Sequence, residues 1–257
     1  MTASELPHQL APHLRRLRLS GILDTLEVRT QQAIAEQWSY VEFLARLVQD
    51  EAERREHKRL DLRLRRGAVD TTKTLELFDF GFNPSINRQQ VFDLATCAFV
   101  RQRRNALICG QTGVGKTHLA QAVAHEAARQ GFEVLYTTAD QLLRHLHAGR
   151  ADGTAEQRLQ RYLTPALLVI DDFGLKPLPP TGPVDLYDVI SGRYEKGSIV
   201  LTSNRAPEEW PELFGDPLLA NAGLDRLGHR ATVLLISGRS FRMVDRPDLP
   251  EVPMTTT

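Results

Sequence analysis

An α/β fold is what this sequence predicts, with a central, mainly parallel sheet covered by helices on both faces and a small helical region ahead of it. Three observations carry that expectation. Short, mainly apolar runs at 106–109, 133–137, 167–171, 199–202 and 233–236 have the length of strands, and helical stretches separate them. The runs are close to continuously apolar, as strands covered on both faces must be. The first hundred residues or so read instead as charged, amphipathic helix.

The elements follow in order. Leu10, Leu14 and Leu17, then a break at Ser20-Gly21, suggest a short helix, and Ile22, Leu26 and Ile34 suggest another. Ser39 and Glu42 have capping-box spacing, so a long helix should start there. Val41, Leu44, Leu47 and Val48 would be its apolar face, Glu51 and Arg55 an i,i+4 pair, and Gly67 its stop. Residues 71–85, with Phe78, Phe80, Phe82 and the turn-forming Asn83-Pro84, read as a linker or docking segment. A helix over 88–99 then leads into the first strand. The division expected is a helical domain at 1–70, a linker at 71–87, an α/β domain at 88–244 and a disordered Pro- and Thr-rich tail at 245–257.

Composition bounds the function. The chain has 257 residues, 42% hydrophobic and 25% charged, which is an ordinary globular mix. No apolar stretch reaches membrane length and the start lacks a secretory layout, so a cytoplasmic protein with no membrane partner is expected. Cys97 and Cys109 are too few for a disulfide framework or a cysteine zinc site and read as core. The 32 basic and 32 acidic residues cancel, so no overall positive field draws nucleic acid. Locally, however, Lys58, Arg59, Arg63, Arg65 and Arg66 form one basic run and Arg101, Arg103 and Arg104 another. Each is either a solvated face or a set of DNA phosphate contacts.

The strongest chemical signal is Gly110, Gln111, Thr112, Gly113, Val114, Gly115, Lys116 and Thr117, which fits G-x-x-x-x-G-K-[ST] between a strand and a helix. Inward-turned backbone N–H groups and the positive end of the following helix suit a phosphate chain. Lys116 would reach the β- and γ-phosphates of ATP and the Thr117 hydroxyl would ligate Mg²⁺. The run 166–170 ends in Asp171 and Asp172: the first can hold the metal, the second can orient or deprotonate water. One strand and two helices fit between the two motifs, a layout expected to put the acidic strand beside the P-loop strand. Asn204, at the end of the 199–202 run, could position the water against the γ-phosphate. Arg205 is open between a phosphate contact and a surface charge. His145 and His147 point to different helix faces and lack a zinc partner set, while His118 and His125 share a face as packing or surface residues.

The order of P-loop, Leu168-Val-Ile-Asp171-Asp172-Phe-Gly174, Thr202-Ser-Asn204-Arg205 and Leu224-Asp-Arg226-Leu227 resembles the AAA+ ATPases, specifically the IstB-like transposition helpers, with DnaC-type helicase loaders as relatives. The resemblance runs over nearly the whole chain, including residues 80–86, 145–150 and 238–242. It implies a P-loop AAA+ three-layer fold and Walker A at 110–117, while the short stretch after the 233–236 run leads to the expectation that a full C-terminal lid is lacking. It further implies Walker B at Asp171-Asp172, sensor I at Asn204 and an arginine finger at Arg226 acting on ATP held by a neighbouring subunit. Arg242 is a candidate second sensor. The implied activity is ATP hydrolysis, slow because Asp172 stands where many relatives carry Glu, and stimulated by DNA or partner. The implied partners are duplex DNA, a transposase and further copies of the chain. The alternatives are a loader of a replicative helicase and a small-molecule kinase, the latter disfavoured by the Asp171-Asp172 and Ser203-Asn204 pairs. Adenine contacts are expected around Phe78 to Phe82.

Overall fold

The computed structural model describes residues 6–241, so the Arg242 reading and the tail at 245–257 lie outside the described residues. Contacts divide the chain into two compact units, Met1–Leu62 and Arg63–Thr257.

The first unit is helical: α1 (Leu6–Arg16), α2 (Ser20–Glu36) and α3 (Tyr40–Arg66), whose last turn belongs to the second unit. At the start of α3 the Ser39 hydroxyl accepts the Glu42 N–H at 3.2 Å, but the Glu42 carboxylate turns to Arg46 at 3.0 Å, so only half of the expected capping box forms. The Glu51–Arg55 pair forms at 2.6 Å, and the helix stops just before Gly67. The expected apolar face is corrected: Leu47 is buried, whereas Val41, Leu44 and Val48 are more than half exposed. The physical reason is that α2 approaches α3 along the line of Leu47 and Glu51. There Gly21 comes so close that a Cβ on it would stand 2.7 Å from the Glu51 Cα.

The second unit contains a five-stranded parallel sheet of β1 (Ala106–Gly110), β2 (Val134–Thr138), β3 (Leu167–Phe173), β4 (Ser198–Ser203) and β5 (Thr232–Ile236), in the order β2-β3-β4-β1-β5. The expected adjacency of the acidic strand to the P-loop strand is therefore corrected: β4 lies between β3 and β1, so the two motifs face each other across a third strand. The helices are α4 (Arg88–Ala95), α5 (Ala98–Arg101), α6 (Lys116–Arg129), α7 (Ala139–Asp152), α8 (Ala155–Leu163), α9 (Gly182–Arg193), α10 (Trp210–Phe214) and α11 (Pro217–Gly228), with a 3₁₀ turn at Pro207–Glu209.

Strand alternation sorts the core. Leu107, Leu168, Ile170, Ile199 and Leu201 pack with Leu142 and Leu146 of α7, Leu186 and Ile190 of α9 and Leu227 of α11. The alternate residues Ile108, Val169 and Val200 are equally buried, and α6 packs on β1, β2, β3 and β4, its many buried alanines letting it come close. The expected single helix at 88–99 is two. Cys97 takes a left-handed φ of 55° between α4 and α5, a turn that buries Leu94, Cys97, Phe99 and Val100 together. Burial pushes the thiols of Cys97 and Cys109 up to about 11, as suits core residues.

Candidate functional site

The P-loop joins the carboxyl end of β1 to α6, which begins at Lys116 with Gly115 as its N-cap. Gly115 has φ +101°, and a Cβ there would meet the Phe78 ring at 2.9 Å, so both the path and the neighbour demand glycine. Lys116 is buried, with its Nζ donating to the Gln111 carbonyl at 2.8 Å. The loop is held from behind as well: the Phe241 N–H donates to the Gly113 carbonyl at 2.9 Å.

Between β3 and β4, Ile170 pairs with Leu201 and Phe173 with Ser203, so three steps on β3 match two on β4. The extra residue is a β-bulge. A regular strand would put Asp172 on the face of Ile170, in the apolar cluster, but the bulge gives that place to Phe173, which is fully buried there. Asp172 takes a left-handed φ of 56°, a conformation that costs on the order of 1 kcal/mol or more for a non-glycine residue. Its N–H donates to the Thr202 hydroxyl at 3.0 Å, and the same hydroxyl donates to Asp171 Oδ1. Asp171, 1% exposed, also receives the Thr117 hydroxyl at 3.2 Å on Oδ1 and the Tyr136 hydroxyl at 2.5 Å on Oδ2. Burial, reinforced by the bond to Asp171, pushes the Tyr136 phenol above its ordinary value, so it stays a proton donor.

The P-loop from Thr112 to Thr117, Asp172 and Asn204 line one cavity of about 520 Å³ at the carboxyl edge of the sheet, with Phe78, Phe82 and Phe241, and Asp171 is joined to it through the Thr117 hydroxyl. Phe82 and Phe241 meet edge to face at 4.9 Å. The cavity thus combines the polar P-loop with aromatic side chains, among them Phe78 and Phe82, where the sequence suggested adenine contacts. Thr117 Oγ1 and Asp171 Oδ1 are hard oxygen donors within hydrogen-bond distance of each other. They fit Mg²⁺, which takes few protein ligands and completes its shell with phosphate oxygens and water.

Apart from His118, the remaining sequence candidates lie elsewhere. Arg205 Nε donates to the Gly174 carbonyl at 3.1 Å and its NH1 sits 3.6 Å from Glu209, so it braces the loop after β3. Arg226 is on α11, donates to the Ala222 carbonyl at 2.7 Å and lies over Tyr187. It opens on a second cavity of about 220 Å³, with Arg103, Arg104 and Arg230, beside the residues that precede β1, β4 and β5. That is the amino edge of the sheet, away from the phosphate end of its own chain. Lys58 bonds Ser20 at 3.2 Å, while Arg59, Arg65, Arg66 and Arg104 are exposed. Arg63 reaches the Ala128 carbonyl at 3.4 Å and Arg101 reaches Gln130 at 2.6 Å, so both meet the C-terminal end of α6, where cations are favoured. Arg103 donates to the Glu195 carbonyl at 3.2 Å. His118, which lines the first cavity, bonds the Thr74 carbonyl and meets the Phe78 ring, and His145 bonds the Tyr162 hydroxyl in a packing role. Tyr136 and Thr202 are the site residues that motif reading missed; Thr202 sat inside a quoted motif, and Tyr136 carried no signal.

The family model described as IstB-like ATP binding protein matches residues 12–248. An insertion-sequence ATP-binding protein of Mycobacterium tuberculosis is 40% identical over 235 residues, 91% of this chain and 94% of that one. The IS21 ATP-binding protein of Pseudomonas aeruginosa is 36% identical over 250 residues, 97% of this chain and 94% of that one. Among solved structures, the replication initiator DnaA bound to AMPPCP and single-stranded DNA aligns with TM-score 0.52 and 25% identity over 65% of this chain, which spans half of that chain's length. DnaI aligns with TM-score 0.54 and 22% identity over 63% of this chain and 90% of that one, a likeness of fold. The sheet order, the P-loop at the carboxyl end of β1 and a family match over almost the whole described chain lead to one conclusion: this protein belongs to the IstB-like ATP binding proteins, with the P-loop AAA+ fold.

Proposed function

We propose that this chain is an ATP-hydrolysing helper of DNA transposition that assembles on duplex DNA and assists a partner transposase in choosing its target. The observation that carries the hydrolytic reading is the single cavity in which Lys116, Thr117, Asp172 and Asn204 meet. Support for the transposition context comes from the relatives, which are named as proteins of insertion sequences.

Lys116 and the loop N–H groups hold the β- and γ-phosphates. Mg²⁺, when bound through Thr117 and Asp171, supplies neutralisation of the phosphate oxygens. Asp172 orients a water and takes its proton as the water oxygen bonds to the γ-phosphorus and the bond to the ADP oxygen breaks, while Asn204 hydrogen-bonds the water. The short Asp172 side chain makes this step slow until DNA or partner tightens the site. Arg226, turned away from its own cavity, acts on ATP held by a second copy, so turnover requires assembly. The exposed arginines among residues 58–66 and 101–104 contact DNA phosphates.

The test is fluorescence anisotropy on labelled duplex and single-stranded DNA, with and without Mg-ATP, with light scattering on the same samples. ATP-dependent assembly on duplex, weakening steeply with salt, is expected. Neutralising Lys58, Arg59, Arg63, Arg65 and Arg66 should lower DNA affinity and leave ATP binding in place. A preference for single strands, or no DNA binding, would replace this reading with that of a helicase loader.

A further inference from the structure

Asp171 is held by more than the motif that contains it. Its Oδ1 faces the Thr117 and Thr202 hydroxyls, both from elements that carry recognised motifs. Its Oδ2 is held by Tyr136, from the middle of the edge strand β2, at 2.5 Å. Tyr136 is itself fixed on two sides. Its backbone N–H donates to the Gly67 carbonyl at 2.7 Å, and the side chain of Gln121 lies beside its phenol. Gln121 is 3% exposed on α6, and its Oε1 is already committed to the backbone N–H of Asp70 at 3.0 Å. That leaves the amide NH₂ to face the phenol, and the phenol proton to face Asp171. The Gln121 amide oxygen thus takes the Asp70 N–H, and the Tyr136 hydroxyl donates to the carboxylate.

We propose that Tyr136 is a positioning residue for Asp171, fixing through its hydroxyl the carboxylate orientation in which Oδ1 is presented to a divalent cation beside Thr117. The inference rests on the reading of Asp171 as a metal-binding group and adds a residue to it. A carboxylate with one oxygen tied by a phenol cannot rotate its other oxygen away from Thr117 without breaking that bond. Oriented ligands of this kind commonly account for 10- to 100-fold in metal affinity. Tyr136 does not line the cavity, and the bond that links its hydroxyl to the site is the one to Asp171.

The experiment uses the full chain and a fluorescent ATP analogue carrying a methylanthraniloyl group on its ribose, titrated first in EDTA and then at rising MgCl₂. Tyr136→Phe keeps the ring and removes the hydroxyl. It should bind the analogue in EDTA as the parent does, while the Mg²⁺ concentration that half-restores full affinity rises roughly tenfold. Asp171→Asn gives the upper bound of that shift. If Asp171→Asn shifts the Mg²⁺ midpoint and Tyr136→Phe does not, the positioning role is overturned and the metal reading stands. If neither variant shifts it, both fall. If Tyr136→Phe loses affinity equally in EDTA and in MgCl₂, Tyr136 only supports the fold and the proposal is overturned. Should circular dichroism show Tyr136→Phe unfolded, Gln121→Met removes the amide that faces the phenol. A rise of about threefold in the same midpoint is then expected, with no rise overturning the proposal.

Discussion

Two buried carboxylates, one in each unit, do opposite work. Glu51 on α3 is filled by its own fold: it accepts the Gly21 N–H at 2.6 Å and the Arg55 guanidinium at 2.6 Å, and so pins α2 to α3. Burial acts against its charge, but these donors outweigh it and hold the carboxyl below its ordinary value. Asp171 instead receives hydroxyls from Thr117, Tyr136 and Thr202, which orient a carboxylate without neutralising it. The surroundings differ in the same sense. Among the described residues of the first unit, Leu26 and Leu47 are the buried large apolar side chains, and ion pairs such as Arg29–Asp50 at 2.7 Å and Arg54–Asp24 join the helices. The second unit rests on a continuous apolar cluster spanning sheet and helices. In this chain the polar groups of the thinly packed helical unit are taken up in joining helices, whereas the packed sheet presents Asp171 to three hydroxyls.

That contrast can be broken or sharpened by substitution. The largest effect should come from the core beneath the site. Ile170→Ala, at a side chain with no exposure, should cost about 2–5 kcal/mol in denaturant unfolding of the second unit. A cost below 1 kcal/mol would mean that the sheet does not carry the site. Next is Arg193, buried in the same unit yet structural: it donates to the carbonyls of Tyr162, Leu163, Ala166 and Ser198, and burial lowers its pKa to about 10. Arg193→Ala leaves those acceptors without their donor and should cost about 3 kcal/mol with the chain's ATP affinity little changed.

Glu51→Gln should cost about 1–2 kcal/mol, seen as a lower helical melting transition while ATP binding is retained. Because the folded pKa of Glu51 is depressed, its stabilisation is complete above the ordinary value of 4.5 and disappears as pH falls through the lower folded value. The Gln variant should lack that acid-dependent part of the melting curve, and an unchanged acid limb would remove Glu51 from its pinning role. The smallest effect should be Leu44→Ser, within about 0.5 kcal/mol because the side chain already faces solvent. A loss above 2 kcal/mol would show that α3 packs on the face first read from its periodicity.

The sequence by itself determined the local parts. The P-loop is legible because eight consecutive residues build one anion cradle, and the strands are legible because apolar runs of that length have few alternatives. The stop of α3 before Gly67 and the Glu51–Arg55 pair are equally local. Only the tertiary structure decided the rest. The place of β4 between β1 and β3 depends on which strands pair, and pairing is a long-range choice among similar apolar segments. The bulge that moves Asp172 out of the apolar cluster exists because β3 carries one residue more than β4 along their ladder, which neither strand shows alone. Tyr136 joins Asp171 only because β2 and β3 lie side by side in register, with Thr138 opposite Asp171. Likewise the face of α3 that is buried was set by where Gly21 lets α2 approach, not by the helix's own periodicity. Hydrogen bonding and periodicity within a segment are written in its residues, whereas register, strand order and close approach are properties of pairs of segments and emerge when the whole chain packs.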